Sequence, residues 1–164
     1  MTSADLIRVL SEFHRDKLTI RQRHVAVARA VSDYDANNTY QYVIAREDAQ
    51  VAWLEAALAE LGAAPAEVPE PALPARGRKA SATPLIEGDS REAGAFVGRW
   101  RERVAGLTHA RHRGMLNVVL GETLEHQRFF DQMIAGREDV LGRRANGPGS
   151  PGTGDGVLSV RWIE

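Results

Sequence analysis

Residues 40–62 read YQYVIAREDAQVAWLEAALAELG, and their spacing decides the fold. Tyr40, Ile44, Val51, Leu54, Leu58 and Leu61 recur at steps of three, four and seven, the repeat of one helix face, and Glu47 takes the place left between Ile44 and Val51. Gly62 closes the stretch as a C-cap, because a residue without Cβ enters the left-handed region freely. Beyond it, residues 63–88 hold Pro65, Pro69, Pro71, Pro74 and Pro84 with Gly77 and Gly88, which predicts a long connection and no helix. Connections longer than about 12–15 residues are uncommon inside a domain unless they have a task, and crossing the length of a bundle is one. Arg76, Arg78 and Lys79 within it read as a solvated basic cluster.

Working back from Tyr40, a first helix carries Leu6, Leu10, Phe13, Ile20, Val27 and Val31 on one face, a stripe interrupted at Lys17 and His24. Thr2 or Ser3 supplies its N-cap, with Asp5 near the positive end of the dipole. It ends within residues 32–38, where either Ser32 caps a long second helix, with Asp33 and Asp35 in its first turn, or Asn38 caps a shorter one. Working forward, a third helix begins near Asp89 or Ser90 and carries Phe96, Val97, Trp100, Val104 and Leu107. A fourth runs from about His109 to Ile134, with Met115, Val119, Phe129, Phe130 and Met133 on its buried face and a stop at Gly136. Gly114 and Gly121 inside it each cost about 1 kcal/mol relative to Ala, or admit a close neighbour.

After Leu141 the composition changes to a Gly/Pro-rich tether, followed by Val157-Leu158-Ser159-Val160-Arg161-Trp162-Ile163-Glu164, whose alternation suits an extended docking strand. The plan is all-α: a four-helix bundle over residues 1–141, built of two helical hairpins joined by a crossover at 63–88, and a flexible tail over 142–164.

The chain's 164 residues suffice for one domain with a true core. A net charge of −1, from 21 basic and 22 acidic residues, supplies no field to attract nucleic acid or an anionic membrane. With no cysteine, disulfides, thiolate nucleophiles and thiolate metal sites are excluded, leaving histidine and carboxylates as metal ligands. Residues 1–5 run into an amphipathic pattern with no signal-peptide character, and the apolar runs are far short of the roughly 20 residues that cross a bilayer, so the expected location is the cytoplasm.

Burying Glu47 in an apolar stripe is costly unless it is paired, protonated or metal-bound. One reading pairs it with Arg21, Lys17 or a protonated His24 in a structural polar layer. The other brings Glu47, Glu122 and His126 together on iron or manganese, metals suited to carboxylate and imidazole ligands. Gln50 lies one turn beyond Glu47, and Glu125 lies beside the Glu122–His126 face. Among the other histidines, His14 reads as exposed, His24 as a hydrogen-bonded core residue, and His109 and His112 as surface residues among Arg103, Arg111 and Arg113. No Ser-His-Asp set or Gly-rich phosphate loop is present.

The order helix, helix ending in Leu61-Gly62, long crossover, helix, helix containing Glu122 and His126 resembles the ferritin-like superfamily, which includes rubrerythrins and bacterioferritins, over residues 3–138. The resemblance implies Glu-x-x-His in the second and fourth helices and one Glu in the first and third. Aligned back from Leu61-Gly62, Glu47 falls on the second-helix glutamate and Gln50 replaces the histidine. Setting His126 on the fourth-helix histidine puts Thr123 where the glutamate belongs, with Glu122 adjacent. Asp16 and Lys17 lie near the first-helix position, and Glu92 and Glu102 are the third-helix offers.

The expected function is therefore a ferritin-like bundle, non-catalytic or with a degenerate metal site, acting through assembly or binding. The alternative is an iron- or manganese-dependent oxidoreductase using Glu47, Glu122 and His126, with Gln50, Glu125 or Asp16 completing the shell. Expected partners are further copies of the chain. The C-terminal peptide docks on the chain itself or, as its resemblance to encapsulin-cargo peptides implies, on a shell protein.

Overall fold

The computed structural model describes residues 2–74 and 81–142. The described residues form four helices: α1 (Ser3–Ala30), α2 (Tyr34–Glu60), α3 (Thr83–Ala105) and α4 (Ala110–Ile134). The basic cluster at 76–79 and the strand-like peptide at 157–164 lie outside the described residues.

Three of the helix starts have a local cause. Thr2 closes a capping box, its hydroxyl accepting from the Asp5 amide at 3.1 Å while the Asp5 carboxylate accepts from the Thr2 amide at 3.1 Å. The cap of α2 is neither Ser32 nor Asn38. It is Asp33, whose Oδ1 accepts from the Ala36 amide at 2.8 Å. The tight turn is sealed by Asn37, whose side chain donates to the Ala28 carbonyl at 2.8 Å, satisfying one of the free C-terminal carbonyls of α1. At the far end of α2, Gly62 takes φ +73°, as its C-cap role requires.

The third helix starts at Thr83, six residues before Asp89, so the crossover occupies 61–82 and not 63–88. Pro84 sits in the first turn of α3, where its missing N–H has no helical partner to lose and its fixed φ already suits the helix. Proline counted as a breaker is here a starter. Gly114 and Gly121 are exposed, with no neighbour near their would-be Cβ atoms. The close approach occurs at Gly88, where an added Cβ would collide with the Arg23 guanidinium.

Helices α1 and α2 form one hairpin and α3 and α4 the other, with α1 packed on α3 and α2 on α4. The core divides into two apolar clusters. One holds Leu6, Leu10, Phe13, Leu54, Leu58, Phe96, Trp100 and Leu116. The other holds Val27, Val31, Tyr40, Val43, Ile86 and Phe130. The chain enters α2 and α3 from the second cluster and α1 and α4 from the first, so the connection between α2 and α3 traverses the bundle. It lies along α1, where Gln22 donates to the Val68 carbonyl at 2.7 Å and Arg29 pairs with Glu70. Phe13 meets Phe96 and Trp100 edge-on, with ring centroids 5.1 and 4.9 Å away, contacts of about 0.5–1.5 kcal/mol each beyond burial. The Trp100 indole donates to Asp16 at 2.9 Å, so its N–H is satisfied.

Among the described residues, no helix is long and apolar enough to cross a membrane. Because Asp33 alone caps α2, Asp33→Ala is expected to destabilise the fold by about 1 kcal/mol, while Ser32→Ala and Asn38→Ala leave the urea midpoint nearly unchanged.

Candidate functional site

Between the two apolar clusters lies a layer of buried polar side chains: Lys17 and His24 from α1, Glu47 and Gln50 from α2, Asp89 from α3, and Thr123 and His126 from α4. The helical repeat puts them there. Lys17 and His24 occupy the two gaps in the α1 stripe, and Glu47 the gap in the α2 stripe, so forming the bundle buries all three at 0–1% exposure.

Glu47 accepts from Lys17 Nζ at 2.9 Å on Oε1 and meets His24 Nδ1 at 2.8 Å on Oε2. Burial pushes its carboxyl up. The neighbouring His24 and Lys17 charges and the His24 hydrogen bond outweigh that and hold it well below the usual carboxylate range. Lys17 Nζ also donates to Thr123 Oγ1 at 3.2 Å, and that hydroxyl donates to the Val119 carbonyl at 2.8 Å. The ammonium lies 5.7 Å from the centre of the Phe96 ring. Of the three cations offered to Glu47 by the sequence, Arg21 goes elsewhere, to Asp48 at 2.9 Å.

His24 faces a second carboxylate. Its Nε2 lies 3.9 Å from Asp89 Oδ1, and its ring packs on Phe130 and Tyr40 at 5.1 and 5.9 Å. Asp89 accepts from Arg23 Nε at 2.6 Å and from the Tyr40 hydroxyl. Burial, then the Asp89 charge, pushes the Tyr40 phenol far above its ordinary value, so it stays protonated and donates.

The other expected ligands divide. Glu122 is half-buried and takes up Arg46 Nη2 at 2.6 Å and the Gln50 amide. The Gln50 Oε1 and His126 Nδ1 atoms are buried without a hydrogen bond. His126 is held down to about 3, first by burial and then by the Lys17 charge, so its imidazole is neutral. Glu125 is half-buried beside it on α4. Glu92 and Glu102 of α3 are exposed, and Phe96 is the α3 side chain at the depth of Lys17. Among the described residues, no group of three or more His, Asp or Glu side chains is arranged to hold a metal ion.

Two histidines differ from their expected surroundings. His14 is fully buried, with Nε2 3.3 Å from Glu55, because it follows Phe13 on the inner side of α1. His112 is 4% exposed and packs at a tilt of 49° on the exposed His109, with their Nδ1 atoms 2.9 Å apart. Burial, then His109 and Arg111, lowers its pKa.

Asp89 is the member of the layer that sequence reasoning missed, since it stands where the third helix is expected to begin. Its signal is spacing: it precedes Ala93, Phe96 and Trp100 on a single buried face. No protein-family model, curated protein or solved structure matches the chain.

Removing one side of a buried ion pair strands the other. Lys17→Met is expected to cost about 3–5 kcal/mol by chemical denaturation, and adding Glu47→Gln should recover most of it. The depressed His126 also sets a pH dependence. The unfolded chain binds this proton near the ordinary 6.5 and the folded chain only near 3, so its contribution is complete above 6.5 and falls as pH drops towards 3. His112 acts with the same sign. His126→Gln should flatten the stability profile between pH 4.5 and 6.5 by up to about 1.4 kcal/mol per pH unit, read from urea midpoints.

Proposed function

We propose that this chain is a ferritin-like bundle whose metal position is filled by the Lys17 ammonium, and that it works through assembly or binding and not through redox chemistry. The observation carrying the reading is Lys17 Nζ at zero exposure, bonded to Glu47 Oε1 and Thr123 Oγ1. By the resemblance, Glu47 and Thr123 stand at ligand positions of two helices, and the group linking them here is a cation already covalently part of the chain.

The donor set does not fit a metal. Both Glu47 oxygens are engaged, Glu122 is engaged by Arg46 and Gln50, and an ion placed near Glu47 would meet the Lys17 charge. Within the layer, the buried atoms left without a hydrogen bond are Gln50 Oε1, His126 Nδ1 and His24 Nε2, a set with no carboxylate. The crossover topology supports the family reading, since one long connection between two hairpins is the ferritin-like arrangement.

The test is elemental mass spectrometry on protein incubated anaerobically with Fe(II) or Mn(II) and desalted. Wild type is expected to retain far less than one metal per chain and to melt at the same temperature with or without Mn(II). Lys17→Glu, which exchanges the ammonium for a carboxylate, is expected to melt lower and to be raised by Mn(II). One equivalent of metal in the wild type, lost in Glu47→Ala, would return the protein to the oxidoreductase class.

A further inference from the structure

We propose that residues 157–164 of this chain dock into the open cavity on their own bundle where the α1–α2 turn, the start of α3 and the chain after α4 meet. The cavity measures about 400 Å³ and is lined by Val31, Ala36, Ile86 and Met133, with Asp33 and Glu138 among its polar residues. That volume lies in the range of sites that receive large side chains.

The place where the described chain ends selects this cavity. After α4 the chain turns at Gly136, buries Val140 against the second apolar cluster and reaches Gly142, four residues beyond the cavity's Glu138. Residues 143–156 then supply a tether containing Gly147, Gly149, Gly152, Gly154 and Gly156. A Gly-rich linker of this length has a root-mean-square span of roughly 20 Å, which puts the peptide near the cavity at an effective concentration of order millimolar. A second cavity of about 360 Å³, lined by Leu6, Leu61 and His109, opens at the opposite end of the bundle. The 28 residues of α1 separate the two ends by about 42 Å, well beyond the tether's typical span.

Chemistry makes the same choice. In extended form Leu158, Val160 and Trp162 share one side of the peptide, a match for the apolar lining, while Arg161 projects from the other. The near cavity offers Asp33 and Glu138 to that guanidinium, its own Arg137 being paired with Asp139 at 3.0 Å, and the far one has no acidic lining residue.

The chain has no cysteine, so Ser159→Cys creates one attachment point for a nitroxide. The experiment is paramagnetic broadening of amide signals in the full-length ¹⁵N-labelled protein, with an identical sample reduced by ascorbate as reference. Amides of residues 30–36, 81–86 and 133–138 are expected to broaden, with those of 2–6 and 108–109 unaffected. Adding Trp162→Ala should abolish most of that broadening while leaving the dispersed spectrum of the bundle unchanged. Uniform broadening, none, or broadening centred on the far end would overturn the proposal. So would the same pattern in a mixture of ¹⁵N wild type and unlabelled nitroxide-bearing chain, since the occupant would then be a second copy's tail.

Discussion

A carboxylate carried into an apolar interior without an answering charge costs several kcal/mol, and Glu47 has no exposed surface at all. Its two oxygens are answered by two side chains of α1 that stand seven residues apart, Lys17 and His24. Seven residues are two helical turns, so both reach α2 only when α1 runs beside it at one height. Sliding either helix by a turn, about 5.4 Å, would bring Glu47 level with one of the two and carry it about two turns from the other.

The remaining elements are tied to that pair. Lys17 extends to Thr123 and so fixes α4. His24 rests on Tyr40 and Phe130 and faces Asp89, which is held by Arg23 and the Tyr40 hydroxyl and so fixes α3. A buried ionic layer of this kind is a poor source of net stability, since well-packed apolar residues of similar volume often do as well. Most of the favourable energy comes from the apolar clusters on either side. The layer penalises other registers, because a partly satisfied polar network in low dielectric is worse than none.

The same geometry explains which features were legible in the sequence. The interruptions of the stripes at Lys17, His24 and Glu47 marked the polar layer, because a helical face is periodic and a charged residue in it must be answered. Pairing of Glu47 with Lys17 and His24 was among the expected alternatives; the choice over Arg21 depended on which residues face inward once α1 lies on α2. Asp89 was hidden by the prolines around it. An acidic residue after a Pro-rich stretch looks like the beginning of a helix, and only the earlier start at Thr83, with Pro84 in the first turn, turns it into an interior residue. His14 was misplaced for a related reason, since a ring adjacent to the stripe is covered or left open according to how closely the neighbouring helix approaches.

The sequence by itself determined four helices, their inward faces and the need for a long connection, because periodicity, caps and proline act within a few residues of one another. It also determined that some buried charge had to be answered. Tertiary structure alone decided the answer: Lys17 and Glu47 are 30 residues apart, and Lys17 and Thr123 are 106. Contacts over such separations depend on the relative height and rotation of whole helices, and local rules fix neither. At the centre of the bundle that height and rotation set an ammonium between a carboxylate and a hydroxyl.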